Sequence, residues 1–480
     1  MSGSLPPNVS YFMQRLQGLS TSHFKIFPQN SGSQSANKII RFELPSNTLL
    51  NLKSCRMMFN ITTTASDAVT QARLFNDTRS VIDRMAIYMG GVLVQNSFSN
   101  YNVLVHAKKA LGADRCSDST LTHQEICRTT SYHDGAAFST ATPAAEGRHE
   151  SYTSPELQLA IMDWEGFLGT AEPGIIDTGL FPQITIEITL ADNIIIPTIT
   201  FAVSTPLALT NAANTSGIGA TGAGTASYSL DNVTMQVEVL GMASSVLDEV
   251  VAQRISQVGY LSIPFKNYFS FSSSHSSTSR FNVNSASWDR LWVAWRDTNG
   301  AAKSGAVRVA GHKVAGAYTG LTAAAATCDG ADVGLPTYDV GGVLTTNKEK
   351  YVARAFNFTE HLLAGQTASN FQLQINSANY PAYKLSVPEA YALTMNSIDV
   401  YDKTRVMSLD QYRKNYFCQV YRFCLPESDY SRLSSGLDTR ATSAQCALVT
   451  ENLATSTPCF IFAEVTSELR VANRAIEIIV

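Results

Sequence analysis

The stretch "MDWEGFLGTAEPGIIDTGLFPQITIEITLADNIII", Met162 to Ile196, changes character half-way. Its first half carries Trp164, Phe167, Leu168, Ile175, Ile176 and Phe181. Gly166, Gly169, Pro173, Gly174 and Gly179 punctuate it too often for a regular helix or a central strand. That half reads as an ordered, turn-rich segment with apolar anchors. The second half alternates apolar and polar residues from Ile184 to Leu190, the signature of a strand with one face buried. Asp177 and Thr178, just ahead of it, suit turn-capping positions.

The same period-two alternation recurs at 38–45, 54–64, 83–95, 232–241, 261–271, 288–297, 371–376, 416–425, 459–465 and 474–480. Within 83–95, Met85, Ile87 and Met89 share a face, and Gly90-Gly91 can supply the positive φ of a tight hairpin. Helical periodicity with caps is confined to 97–112 and 244–259. Two long small-residue segments, 204–229 and 298–346, fall one in each half of the chain. The expectation is an all-β protein of two similar domains with a few short connector helices. Residues 1–35 form an arm, 36–258 the first domain and 259–480 the second.

The 480 residues are 45% hydrophobic but only 15% charged, well under the usual ~25%, with a net charge of −4. No basic face for nucleic acid is visible. Sparse charge on a long chain implies a surface largely covered by partners. The start has no signal-peptide pattern, and no window is apolar enough for a membrane span. The eight cysteines lack C-x-x-C spacing and read as reduced, buried thiols.

Catalytic and ligand-binding motifs are missing as well. There is no H-E-x-x-H, no G-x-S-x-G and no phosphate loop ending in G-K-[ST], so no metal, cofactor or nucleophile is expected. Asp163 and Glu165 suggest a glycosidase carboxylate pair only weakly, being two residues apart in a loop. Trp288, Trp292 and Trp295 admit a sugar-stacking platform. However, Trp288 and Trp292 share strand parity and Trp295 does not, which favours a strand covered on both faces.

The 163–196 stretch, with GFLG followed by P-x-x-I-D-T and an alternating strand, resembles the major capsid proteins of polinton-like viruses and virophages. Residues 13–54, 84–111 and 431–480 resemble that group in the same order. The resemblance implies two tandem eight-stranded jelly rolls and a homotrimer of pseudo-hexagonal outline that tiles an icosahedral shell. It implies a virion location after assembly in the host cell, with penton and minor or cement capsid proteins as further partners. It implies neither catalysis nor a cofactor, neither sequence-specific nucleic-acid binding nor a transmembrane segment. Trp164, Phe167, Leu168, Ile175 and Ile176 are then expected to bury against the first roll or a neighbouring subunit. Asp177 would cap a turn, and Trp288 and Trp292 would serve core or subunit contacts. The alternatives are a carbohydrate-binding β-sandwich attachment protein or a minor capsid component.

Overall fold

The computed structural model describes residues 20–30, 32–65, 70–72, 77–112, 133–134, 158–195, 198–200, 226–241, 256, 259–273, 277–295, 358, 360, 362–363, 365–398, 409, 412–413, 417–424, 436–440, 444–453, 458–472 and 475–480. The strands before residue 242 are β1 (Ser20–Ile26), β2 (Gln34–Ser35), β3 (Ile39–Glu43), β4 (Leu49–Ala65), β5 (Thr70–Ala72), β6 (Ile82–Met89), β7 (Val92–Ser99), β8 (His133–Asp134), β9 (Leu159–Ile161), β10 (Ile175–Asp177), β11 (Ile184–Leu190), β12 (Thr198–Thr200) and β13 (Ala226–Gly241). After it come β14 (Leu261–Ser273), β15 (Thr278–Val283), β16 (Trp288–Trp295), β17 (Asn370–Ile375), β18 (Ala378–Ser386), β19 (Cys418–Arg422), β20 (Ala444–Glu451), β21 (Cys459–Ala472) and β22 (Ala475–Ile479). The helices are α1 (Tyr101–Gly112), α2 (Phe167–Thr170) and α3 (Val387–Ser397).

All the strand pairs are antiparallel, and their order repeats. In the first half, one sheet runs β1-β13-β4-β10 and a second runs β3-β11-β6-β7. In the other half the sheets run β14-β21-β16-β19 and β15-β20-β17-β18. Counting the eight principal strands of either half in chain order, both halves read 1-8-3-6 opposite 2-7-4-5. This is jelly-roll connectivity, an eight-stranded double sheet built from two Greek keys. β2, β9 and β22 extend these sheets, while β5, β8 and β12 make a small third sheet on the first half. The helices repeat as well: α1 follows β7, and α3 follows β18, its counterpart.

The side-chain pattern explains the sheets. In β11, Ile184, Ile186, Ile188 and Leu190 are buried while Thr185, Glu187 and Thr189 are half-exposed, so one face fills the sandwich. Gly90 and Gly91, at φ 57° and 85°, turn β6 back into β7 as the sequence suggested. In the second roll Trp295 of β16 meets Phe371 of β17 with ring centroids 5.0 Å apart, which seats one sheet on the other.

Some expectations shift. Residues 97–99 belong to β7, so the helix begins at Tyr101. Ser20–Ile26, assigned to the arm, pair with β13 as an edge strand. The expected helix at 244–259 lies outside the described residues apart from Ser256 and Gly259, and so do 298–346 and most of 204–229. Among the described residues no helix is long and apolar enough to cross a membrane.

Candidate functional site

Residues 163–172 form a rivet between the two rolls. Asp163 accepts from Arg79 Nη1 at 2.9 Å, and Arg79 also grips Asp77 through Nη2 at 2.9 Å. Trp164 Nε1 donates to the Cys55 carbonyl at 2.8 Å, and Glu165 N donates to the Tyr101 hydroxyl at 2.8 Å. Phe167 N donates to Gln95 Oε1 at 2.9 Å. Two further bonds cross to the second roll. Lys266 N donates to Thr170 Oγ1 at 2.9 Å, and Glu172 N donates to the Pro264 carbonyl at 3.0 Å.

Two of the glycines in this segment are required by close approach. Gly166 sits at φ 81°, and a Cβ there would meet the Gln95 side chain at 2.4 Å. A Cβ on Gly169 would lie 1.8 Å from the Trp164 carbonyl oxygen.

The anchors separate by face. Trp164, Phe167, Leu168 and Ile176 are buried, and Phe167 packs edge-on against Phe265 of β14, with centroids 5.2 Å apart. Ile175 is 46% exposed, because neighbouring residues of β10 point to opposite sides. Asp177 Oδ1 accepts from Gly179 N at 2.8 Å, closing a turn before β11.

Next to the rivet lies a buried ionic cluster that sequence reading missed. Lys108 of α1 reaches across the seam, donating to Glu165 at 2.6 Å and to the Tyr268 hydroxyl at 3.0 Å. Its ammonium also sits 5.4 Å from the Tyr268 ring and 5.9 Å from the Trp292 ring. Trp292 Nε1 donates to Glu464 Oε2 at 2.8 Å, and Arg290 pairs with the other oxygen of Glu464 at 3.4 Å. Burial pulls Lys108 down, but Glu165 and Glu464 outweigh it and hold the ammonium above its ordinary value. Burial likewise pushes Glu464 up, yet the charges of Lys108, Arg290 and Lys266 and the Trp292 N–H keep the carboxyl below its usual range.

Asp163 and Glu165 therefore do not converge as a carboxylate pair; one faces Arg79, the other Lys108 and Tyr268. The three tryptophans are also spoken for. Trp288 and Trp295 are fully buried and Trp292 nearly so, which leaves no exposed stacking platform among them. The register of β16 against β21 shifts between Trp288 and Arg290. Trp288 meets Phe423 with ring centroids 4.4 Å apart and Trp292 turns to the seam, so the strand is covered on both faces, as the parity of its tryptophans suggested, even with its register broken at that bulge. Among the described residues no cluster of His, Cys, Asp and Glu could hold a metal ion.

No protein-family description matches the chain, and no curated protein does. Solved structures do. The crystal structure of PBCV-1 VP54, fitted into a cryo-EM reconstruction of the virophage Sputnik, is similar over 96% of this chain and 96% of that one, at 8% identity and a TM-score of 0.53. The Faustovirus major capsid protein is similar over 98% of this chain and 92% of that one, at 11% identity and a TM-score of 0.51. The fold is a double jelly roll. At such identities the likeness carries architecture, and both strand orders above agree with it. Within the double jelly roll, the seam cluster joins the two halves through Lys108, Glu165 and Tyr268.

Proposed function

We propose that this chain is a viral major capsid protein that trimerises into pseudo-hexagonal capsomers tiling an icosahedral shell. The observation that carries the reading is the likeness of fold, over nearly the whole of both chains, to the Faustovirus major capsid protein. The sparse charge supports it, since capsomer walls are covered by neighbours. The double seam also supports it: the rivet and the ionic cluster lock two rolls into one block, as a tile must be. On this reading 36–258 and 259–480 are the two domains, and 1–35 is an arm whose last part is already strand. The chain acts in the virion as a structural component rather than an enzyme. It is made and assembled in the host cell, and its partners are its own copies, then penton and minor or cement proteins.

Light scattering after gel filtration, with negative-stain images, tests the proposal. The expected result is a particle of three times the 52.0 kDa chain mass with a hexagonal outline. A clean monomer at micromolar concentration overturns it.

A further inference from the structure

Inside the second roll, one spot holds more hydrogen-bond donors than acceptors. Val293 of β16 stands opposite Gln419 of β19, and Ala294 opposite Cys418. Trp295 is therefore the diagonal neighbour of Gln419 on the same face, and long side chains so placed reach each other. That face is the inside of the sandwich, since the Trp295 ring meets Phe371 of the facing sheet. Tyr421 shares it, two residues beyond Gln419. On the other flank of β16, Cys459 of β21 stands directly opposite Trp295. Trp295 and Tyr421 are fully buried, and Gln419 and Cys459 nearly so.

The polar atoms of these four side chains can be accounted for one by one. The Tyr421 hydroxyl donates to Gln419 Oε1 at 2.9 Å. Gln419 Nε2 and Trp295 Nε1 are buried donors that find no acceptor among the described residues. Folded proteins rarely leave such groups unmet. Turning the Gln419 amide over does not cure the shortage. Oε1 would then take the Trp295 N–H, but Nε2 would face the Tyr421 oxygen and the phenolic proton would lose its acceptor. Only the sulfur of Cys459, a weak acceptor, would be left for it.

Both donors can be met by one oxygen that accepts twice. A water molecule does so, and it has two protons of its own to place. One suits the Tyr421 oxygen, whose own proton is committed to Gln419, and the other the Cys459 sulfur. Cys459 lies close enough for its charge to add to burial in raising the Tyr421 hydroxyl. Ser279 of β15 bonds the same thiol from the facing sheet, so polar groups of both sheets border the spot. Up to four contacts is the number a buried water makes. None of these groups carries positive charge, so an anion in the same place would go unpaired.

We propose that a single ordered water molecule is bound inside the second roll, accepting from Trp295 Nε1 and Gln419 Nε2 and tying β16 to β19. β19 is the last strand of its sheet, and Val420 N donates to Thr394 Oγ1 of α3 at 3.2 Å. The water thus steadies the strand on which that helix rests. The inference goes beyond the capsomer reading and holds whatever the number of subunits.

The test is a density map of the wild-type full chain, by crystallography or cryo-electron microscopy, fine enough to show ordered water. A peak within hydrogen-bonding distance of both nitrogens is expected. Gln419→Leu should erase that peak and lower by one the number of long-lived internal waters counted by oxygen-17 relaxation dispersion. Because the peak is read on the wild-type chain, a variant that fails to fold does not leave the matter open. Ordered Trp295 and Gln419 side chains with no peak between them, or bonded directly to each other, overturn the inference. So does a folded Gln419→Leu whose count of internal waters equals that of wild type.

Discussion

Replacing Phe167 by Ala tests the seam at its apolar centre. The side chain is fully buried, and its ring meets Phe265 of the other roll at 5.2 Å with the planes 86° apart. Truncating a buried Phe costs about 3–5 kcal/mol through lost transfer energy and the cavity left behind. Of this, about 0.5–1.5 kcal/mol belongs to the edge-on ring pair. Unfolding entropy of about 2.1 cal/mol/K per residue gives about 1 kcal/mol/K for this length, so the melting temperature should fall by about 3–5 °C. Urea unfolding of Phe167→Ala, Phe265→Ala and the double variant completes the cycle. The ring pair should emerge as a coupling of about 0.5–1.5 kcal/mol. Since the two residues belong to different rolls, the coupling reports on the seam itself. A loss below about 1 kcal/mol for the single variant, or no coupling in the cycle, would refute the reasoning.

Two further perturbations probe the same region. Gly169→Ala forces a Cβ onto the Trp164 carbonyl, a backbone clash that should cost about 1–3 kcal/mol or more. Gly174→Ala meets only the flexible Lys53 side chain at 3.2 Å and should stay within about 0.5 kcal/mol of wild type; equal effects in urea would undo the distinction. Glu464→Gln should cost about 3–5 kcal/mol at pH 7 by taking a shared buried carboxylate charge away from Arg290 and Lys108. Because the folded pKa lies below the ordinary value of about 4.3, the ionised form stabilises the fold above that value and the benefit is lost as pH falls through the folded one. The gap between wild type and Glu464→Gln should therefore narrow below about pH 4, and a gap independent of pH in urea midpoints would contradict the assignment.

Legibility followed burial. β11 could be read residue by residue, because each inward position is apolar and each outward one polar. β1, "STSHFKI", escaped notice since nearly all its side chains are exposed, leaving no alternation to find. β18, "ANYPAYKLS", hid for the same reason and contains Pro381 besides. The helix α3 was missed, although its signal is present: Ser386 and Glu389 stand three residues apart, and Glu389 accepts from Ser386 N at 2.8 Å, the return half of a capping box. The glycines of GFLG were visible as breakers, but their necessity depends on Gln95 and on a carbonyl that folds back over Gly169. The seam cluster was the least legible. An acid in the apolar run "CFIFAEV" signals a buried partner, yet nothing local says that Arg290, Trp292 and a lysine from another domain surround it.

The repeated strand order sets a timetable for synthesis. The first roll closes when the strand ending at Gly241 returns to pair with Ser20–Ile26, so it can be complete while the rest of the chain is still on the ribosome. Its sister cannot close until the strand ending at Ala472 reaches the one beginning at Leu261. At ordinary translation speeds that interval is roughly 10–50 s. Throughout it the finished first roll presents Lys108 and the flank of α1 with no second roll to cover them. For the length of one translation the nascent chain thus carries a bare half-joint, and its own later half, tethered at high effective concentration, is the nearest thing able to close it.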